Sequence, residues 1–95
     1  MKSRFRFTPE AWSHNNTRLT NQIFKLLPMY ENNEDWLKQQ QTIILELHGY
    51  NDLFIDNPGF MVLIAKLEAL KYAEDQVVFR KIVFEAITAL KEITI

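Results

Sequence analysis

The sequence has no cysteine, only two glycines and three prolines, and no long run of apolar residues. Without cysteine, disulfide frameworks, thiolate zinc sites and cysteine nucleophiles are excluded. The scarcity of glycine and proline excludes collagen, flexible linkers and low-complexity disorder. The longest apolar runs, such as residues 61–65, are far shorter than the roughly 20 residues that a membrane-spanning helix needs, and the N-terminus lacks the apolar core of a signal peptide. We therefore expect a soluble, cytoplasmic protein with no membrane partner.

The 95 residues are enough for one domain with one modest core, since two cores of half that length would each be too small to hold. The chain is 47% hydrophobic and 24% charged, a composition typical of a protein that folds. Its net charge of −1 conceals a basic first third and an acidic second third. Two interpretations are open: adjacent helices of opposite charge, or a basic arm that faces phosphate groups. The near-neutral total favours the first.

Capping chemistry predicts where four helices begin. Thr8 and Pro9 predict the first start, because threonine accepts hydrogen bonds from unpaired amides and proline suits the first helical position. Pro28 has no amide hydrogen and disfavours helical geometry in its predecessor, so we expect this helix to end near Leu27. The later starts are expected at residues 33–35, 57–58 and 74–75.

Apolar residues recur at intervals of three and four in all four stretches, which places them on one face of each helix. The expected core residues are Trp12, Leu19, Ile23 and Leu26 in the first helix, Trp36, Ile43, Leu47, Tyr50 and Phe54 in the second, Phe60, Leu63, Ile64, Leu67 and Leu70 in the third, and Phe79, Val83, Ala86, Leu90 and Ile93 in the fourth. Gln40 interrupts the second pattern. Its amide is either buried, where it fixes register or oligomeric state, or held at the core edge in water.

Short connections force neighbouring helices to run antiparallel. We therefore predict an all-α fold: an antiparallel up-down four-helix bundle in which residues 1–95 form a single domain and residues 1–7 form a short extended arm. In this arm Phe5 and Phe7 alternate with Arg4 and Arg6. We expect the two rings to lie on the bundle or on another subunit.

Further apolar side chains project away from the expected core. In the fourth helix, Val77 and Phe84 lie at roughly 140° to 160° from Phe79. The third helix has a second face of its own, formed by Met61, Val62, Ala65 and Ala69. Small residues allow another helix to approach closely, and methionine and aromatic side chains are favoured in interfaces. These six residues therefore form a candidate protein interface. The alternative is that they complete the intramolecular core.

Patterns that carry catalysis or ligand binding are scarce. Ser13 and His14 are adjacent and so point about 100° apart on a helix, which is poor geometry for a nucleophile and its base. His48 and Asp52 are four residues apart and could form half of a metal site or an acid–base pair, but an exposed side-chain pair explains them more simply. Two glycines cannot build a phosphate-binding loop. We expect no catalytic residue, no cofactor and no metal.

The leading hypothesis is a noncatalytic interaction or regulatory accessory protein that binds an unknown protein partner through the outer faces of the third and fourth helices. A two-fold homodimer that buries this extra apolar surface is favoured over a monomer. The alternative is a nucleic-acid-associated regulator, whose arm would bind phosphates through Lys2, Arg4 and Arg6 and stack bases on Phe5 and Phe7. The acidic second helix would repel that ligand, so protein binding is preferred.

Overall fold

The computed structural model describes residues 8–54 and 56–94, and this part of the chain is helical without strands. The helices are α1 (Pro9–Phe24), α2 (Leu26–Glu31), α3 (Trp36–Leu53), α4 (Gly59–Ala69), which continues as a 3-10 turn at Leu70–Tyr72, and α5 (Gln76–Glu92). Four of them are long, and α2 is a short continuation of α1. The all-α class with four main helices is therefore confirmed. The predicted arm at residues 1–7 lies outside the described residues.

Side-chain caps account for three helix starts. Thr8, Asp35 and Asp75 each accept a hydrogen bond from the amide three residues later, at 2.9 to 3.2 Å. Each bond satisfies one of the amides that a first helical turn leaves unpaired. The cap of α3 is Asp35, within the expected start, while Asn33 takes a left-handed conformation with a φ of 57° in the preceding turn. Asparagine tolerates that conformation better than most residues.

The first helix ends differently from the prediction. α1 stops at Phe24, and after a break at Lys25 the chain resumes as α2 and passes through Pro28 to Glu31. Pro28 is the third residue of α2, where an amide has no partner within the helix in any case. The missing amide hydrogen therefore costs little, and the predicted end near Leu27 is wrong.

The predicted core faces form the core. All the expected positions are buried except Trp36, Tyr50 and Phe54, which are half-buried against it. At one end of the molecule the Trp12 ring meets Tyr50 and Phe60 edge-on, with centroids 5.5 Å apart in both pairs. A second aromatic group joins α2, α3 and α5 through Tyr30, Trp36 and Phe79. Aromatic packing thus links all the helices.

Gln40 is completely buried, so the interpretation that leaves its amide in water is wrong. Its Nε2 donates to the carbonyl oxygen of Leu67 at 2.6 Å. The carbonyls in the last turn of a helix lack their usual partners, and the Leu67 carbonyl accepts instead from the Leu70 amide, where α4 tightens into its 3-10 turn. The glutamine therefore joins α3 to the end of α4 with a hydrogen bond that the core would otherwise lack.

Contacts between the long helices join residues in opposite sequence order. Between α1 and α5, the Trp12 indole donates to the carbonyl of Ile93 at 3.4 Å and the Asn16 amide donates to the carbonyl of Leu90 at 3.0 Å. Between α3 and α4, Gln40 contacts Leu67 and Tyr50 stacks on Phe60.

The same order holds between α4 and α5. Lys66 contacts Glu85, and Asn57 at the start of α4 contacts Thr94 at the end of α5.

Candidate interaction face of α4 and α5

A groove runs between α4 and α5 on the outside of the molecule. It encloses about 460 Å³ and is lined by Val62, Lys66, Lys81, Phe84, Glu85, Thr88, Ala89 and Glu92. Its walls are joined by an ion pair between Lys66 and Glu85, with 3.2 Å between Nζ and Oε1. We refer to these eight lining residues as the α4–α5 groove.

The groove continues toward the loop that precedes α4. A depression of about 280 Å³ shares Val62, Ala89 and Glu92 with it and reaches Gly59. The turn there is held by Asn57, whose amide donates to the carbonyl of Thr94 at 3.0 Å and whose Oδ1 accepts from the Gly59 amide at 3.0 Å. The start of α4 is thereby fixed against the end of α5.

Phe84 stands on the outward side of α5, between the groove and α1. The residue is 40% exposed, and its ring meets the ring of Phe24 edge-on at 5.5 Å. The Arg80 guanidinium lies 5.8 Å from the centroid of the Phe84 ring, a cation–π distance. Phe84 is therefore positioned by its neighbours while much of its apolar surface still meets solvent.

The six residues of the candidate interface are placed in different ways. Val62, which is 50% exposed, and Phe84 come together in the groove. Met61 and Ala65 are exposed on α4, and Val77 is exposed near the start of α5, but these three are not among the residues that line the groove. Ala69 is half-buried. The alternative, that the six residues complete the intramolecular core, is wrong for the five that are exposed. The role of these residues in binding stays a prediction.

Several residues of this face were not found from the sequence. Phe24 follows the buried Ile23 and projects about 100° from it, so its apolar character carried no periodic signal. Lys66, Lys81 and Glu92 are charged, and a charged side chain on a helix does not by itself indicate an interface. The opposite charges of Lys66 and Glu85 are a possible signal for this face, but they indicate a contact only once α4 and α5 are known to be adjacent.

The chemistry-bearing residues considered from the sequence lie elsewhere. His48 and Asp52 are exposed on α3, and His14 lines a depression on α1 together with Arg18 and Lys25. Among residues 8–54 and 56–94, no three histidine or carboxylate side chains are grouped as a metal site would require. The residues proposed to bind nucleic acid lie outside the described residues, and that function stays a prediction; they are Lys2, Arg4, Phe5, Arg6 and Phe7.

Arg18 is engaged in a network that crosses from α1 to α3. Its guanidinium pairs with the carboxylate of Glu46 and donates to Oδ1 of Asn15 at 3.0 Å, while the Tyr50 hydroxyl donates to Glu46 at 3.2 Å. The hydrogen bond to Glu46 raises the pKa of Arg18. Burial, followed by the negative charge of Glu46, raises the pKa of Tyr50. Glu46 therefore balances the positive charge of Arg18 within the fold, which argues against an anion site in the depression beside Arg18.

No family model, curated protein or solved structure matches this chain. In the described part of the chain, no helix combines the length and the apolar character needed to cross a membrane. A functional proposal therefore depends on the geometry of the exposed face.

Proposed function

We propose that this protein is a noncatalytic, cytoplasmic interaction protein with a regulatory or accessory role, which forms a homodimer and binds its protein partner through the outer faces of α4 and α5. The observation that carries the proposal is the joint exposure of Val62 and Phe84 beside a groove. Complete burial of one such side chain is worth roughly 1.5 to 3 kcal/mol, and the isolated chain leaves part of that unused.

An antiparallel up-down four-helix bundle is the scaffold that we infer for this function. The opposite sequence order of contacts between α1 and α5, between α3 and α4, and between α4 and α5 supports this topology. In such a bundle α4 and α5 are neighbours, and their outer faces form one continuous surface. The exposed apolar residues of both helices can then contribute to the same interface.

The size of this face predicts a weak complex. α5 has 17 residues and is therefore about 26 Å long, and the molecule is 19 Å across. The projected area is roughly 500 Å², below the roughly 800 Å² that each partner contributes to a standard stable interface. We expect reversible, micromolar association rather than a permanent dimer.

Substitution of Phe84 by glutamate tests this proposal. F84E places a charge on the exposed face, so we expect self-association, measured by sedimentation velocity at micromolar concentrations, to weaken at least tenfold. The unfolding transition, followed by circular dichroism, should change little at low concentration because the side chain is half exposed.

Leu45→Glu is the matched control. Leu45 is 70% exposed on α3, and the change adds the same charge to an exposed apolar position outside the groove. It should leave the dimer intact. Unchanged association of F84E, or equal loss in both variants, would contradict the proposed face. If the F84E domain melts instead, Phe84 belongs functionally to the core.

A further inference from the structure

Opposite charges stand at the two ends of the wall that α5 contributes to the groove. Lys81 and Glu92 are about three helical turns apart, and both are exposed. Within the described ranges, ion pairs join Arg18 to Glu46 and Lys66 to Glu85, so Lys81 and Glu92 are both left without one. Two fixed charges of opposite sign thus flank the exposed apolar surface.

The other charged residues of this face do not offset the opposite charges of Lys81 and Glu92. Glu85 lies between Lys81 and Glu92 but is already paired with Lys66. Arg80 and Lys91 are adjacent in sequence to Lys81 and Glu92, and each projects roughly 100° away from its neighbour. Both therefore lie on the α1 side of α5, where Arg80 covers the Phe84 ring.

We propose that the occupant of the α4–α5 groove is a second copy of the chain, whose α5 runs in the opposite direction across a two-fold axis that passes between Glu85 and Thr88. In this arrangement Lys81 lies beside Glu92 of the partner subunit, and the symmetry makes the same contact twice. The inference rests on the proposed homodimer and adds its orientation and register.

Charge complementarity selects this orientation. If the two α5 helices ran parallel, Lys81 would face a lysine and Glu92 would face a glutamate, and like charges directly opposed disfavour a complex. The antiparallel arrangement replaces both repulsions with attractions, and its self-complementary contacts are those that a two-fold interface requires.

The same axis suits the apolar residues. It passes close to the midpoint between Lys81 and Glu92, and Phe84 lies about 3 to 4 Å from that point along the helix. Both Phe84 rings therefore fall near the centre of the interface, where contacts contribute most to affinity. Ala89, on the side of α5 toward α4, is small enough to let a second helix approach.

Charge reversal tests the register in the full-length chain. K81E and E92K homodimers each bring two like-charge pairs together, so each should associate about tenfold more weakly than wild type. A mixture of the two variants, one of them labelled with nitrogen-15, restores opposite charges at both contacts. Native mass spectrometry should therefore show heterodimers well above the statistical half of all dimers.

Two further samples separate electrostatics from structural damage. The double variant K81E/E92K should recover the wild-type dissociation constant within about threefold, and a salt concentration near 1 M should abolish the heterodimer preference. Lys38→Glu, the same charge reversal on α3, should not change dimerisation. Recovery in the double variant together with an unaffected control supports the register.

The possible failures are distinguishable. Statistical mixing of K81E and E92K, while F84E still dissociates the dimer, would overturn this register and leave the proposed function in place. Dimers unaffected by F84E would contradict the proposed function itself. A wild-type chain that remains monomeric throughout the micromolar range would overturn a second copy as the occupant of the groove.

Discussion

At the scale of single residues, the most informative side chain is Gln40. Apolar residues surround it in the heptad pattern of α3, yet its amide is completely buried and donates to the carbonyl of Leu67. A buried polar group is tolerated only when its hydrogen-bonding capacity is used. The bond also favours one axial position of α3 relative to α4, because a shift by one residue would leave the amide among apolar side chains.

Replacement of Gln40 by glutamate should destabilise the fold strongly. A carboxylate cannot donate to the carbonyl of Leu67, and the Gln41 amide, which lies 3.4 Å from Oε1 of Gln40, does not balance a buried charge, so the cost should be about 3 to 5 kcal/mol. We expect that loss in the free energy of unfolding at pH 7, measured by urea denaturation. Burial raises the folded-state pKa of such a carboxyl group, so the deficit should shrink as the pH falls toward about 4, near the ordinary pKa of glutamate.

Gln40→Met is the matched control for this prediction. Methionine keeps a similar shape and loses the hydrogen bonds with Leu67 and Gln41 without adding a charge, so its cost should be about 1 kcal/mol and independent of pH. A Q40E variant as stable as Q40M at pH 7 would show that the side chain reaches water, contrary to its complete burial.

At the scale of helices, the two glycines have different roles. Gly49 lies inside α3 with open space around its Cα, since a Cβ built there meets no atom within 4 Å. Gly59 begins α4, where a Cβ would lie only 2.8 Å from Cγ1 of Ile93 and 3.0 Å from Oδ1 of Asn57. The absence of a side chain at Gly59 is what lets the start of α4 approach the end of α5.

Alanine substitutions should therefore have opposite effects at these positions. Gly49→Ala should raise the free energy of unfolding by about 0.5 to 1 kcal/mol, because alanine loses less backbone entropy and favours helix. Gly59→Ala should lower it by about 1 to 2 kcal/mol, because Ile93 must move. Urea denaturation of both variants measures the difference. A stabilised G59A variant would contradict this prediction, because it would mean that Ile93 can move away from residue 59 at little cost.

At the scale of the whole molecule, the core faces were predictable and the outer face was only partly so. Core positions repeat every three or four residues, and this local signal does not depend on which helices are neighbours. The burial of Gln40 depends on a carbonyl in another helix, and the groove depends on residues such as Lys66 and Glu85, which meet only after folding. The passage of α2 through Pro28 was missed because the break at Lys25 has no marker of its own.

The thermal stability of the assembled protein should depend on its concentration. If α4 and α5 bury their outer faces in a dimer, association stabilises the folded state by mass action, and the thermal midpoint must rise with protein concentration. Between about 1 and 100 μM, a micromolar dimer of this size should gain a few degrees, measured by circular dichroism. F84E should show no such rise, and the midpoint of wild type should approach that of F84E as the concentration falls below the dissociation constant of the dimer. A concentration-independent midpoint for wild type would indicate that the exposed side chains of Val62 and Phe84 remain in water across this range.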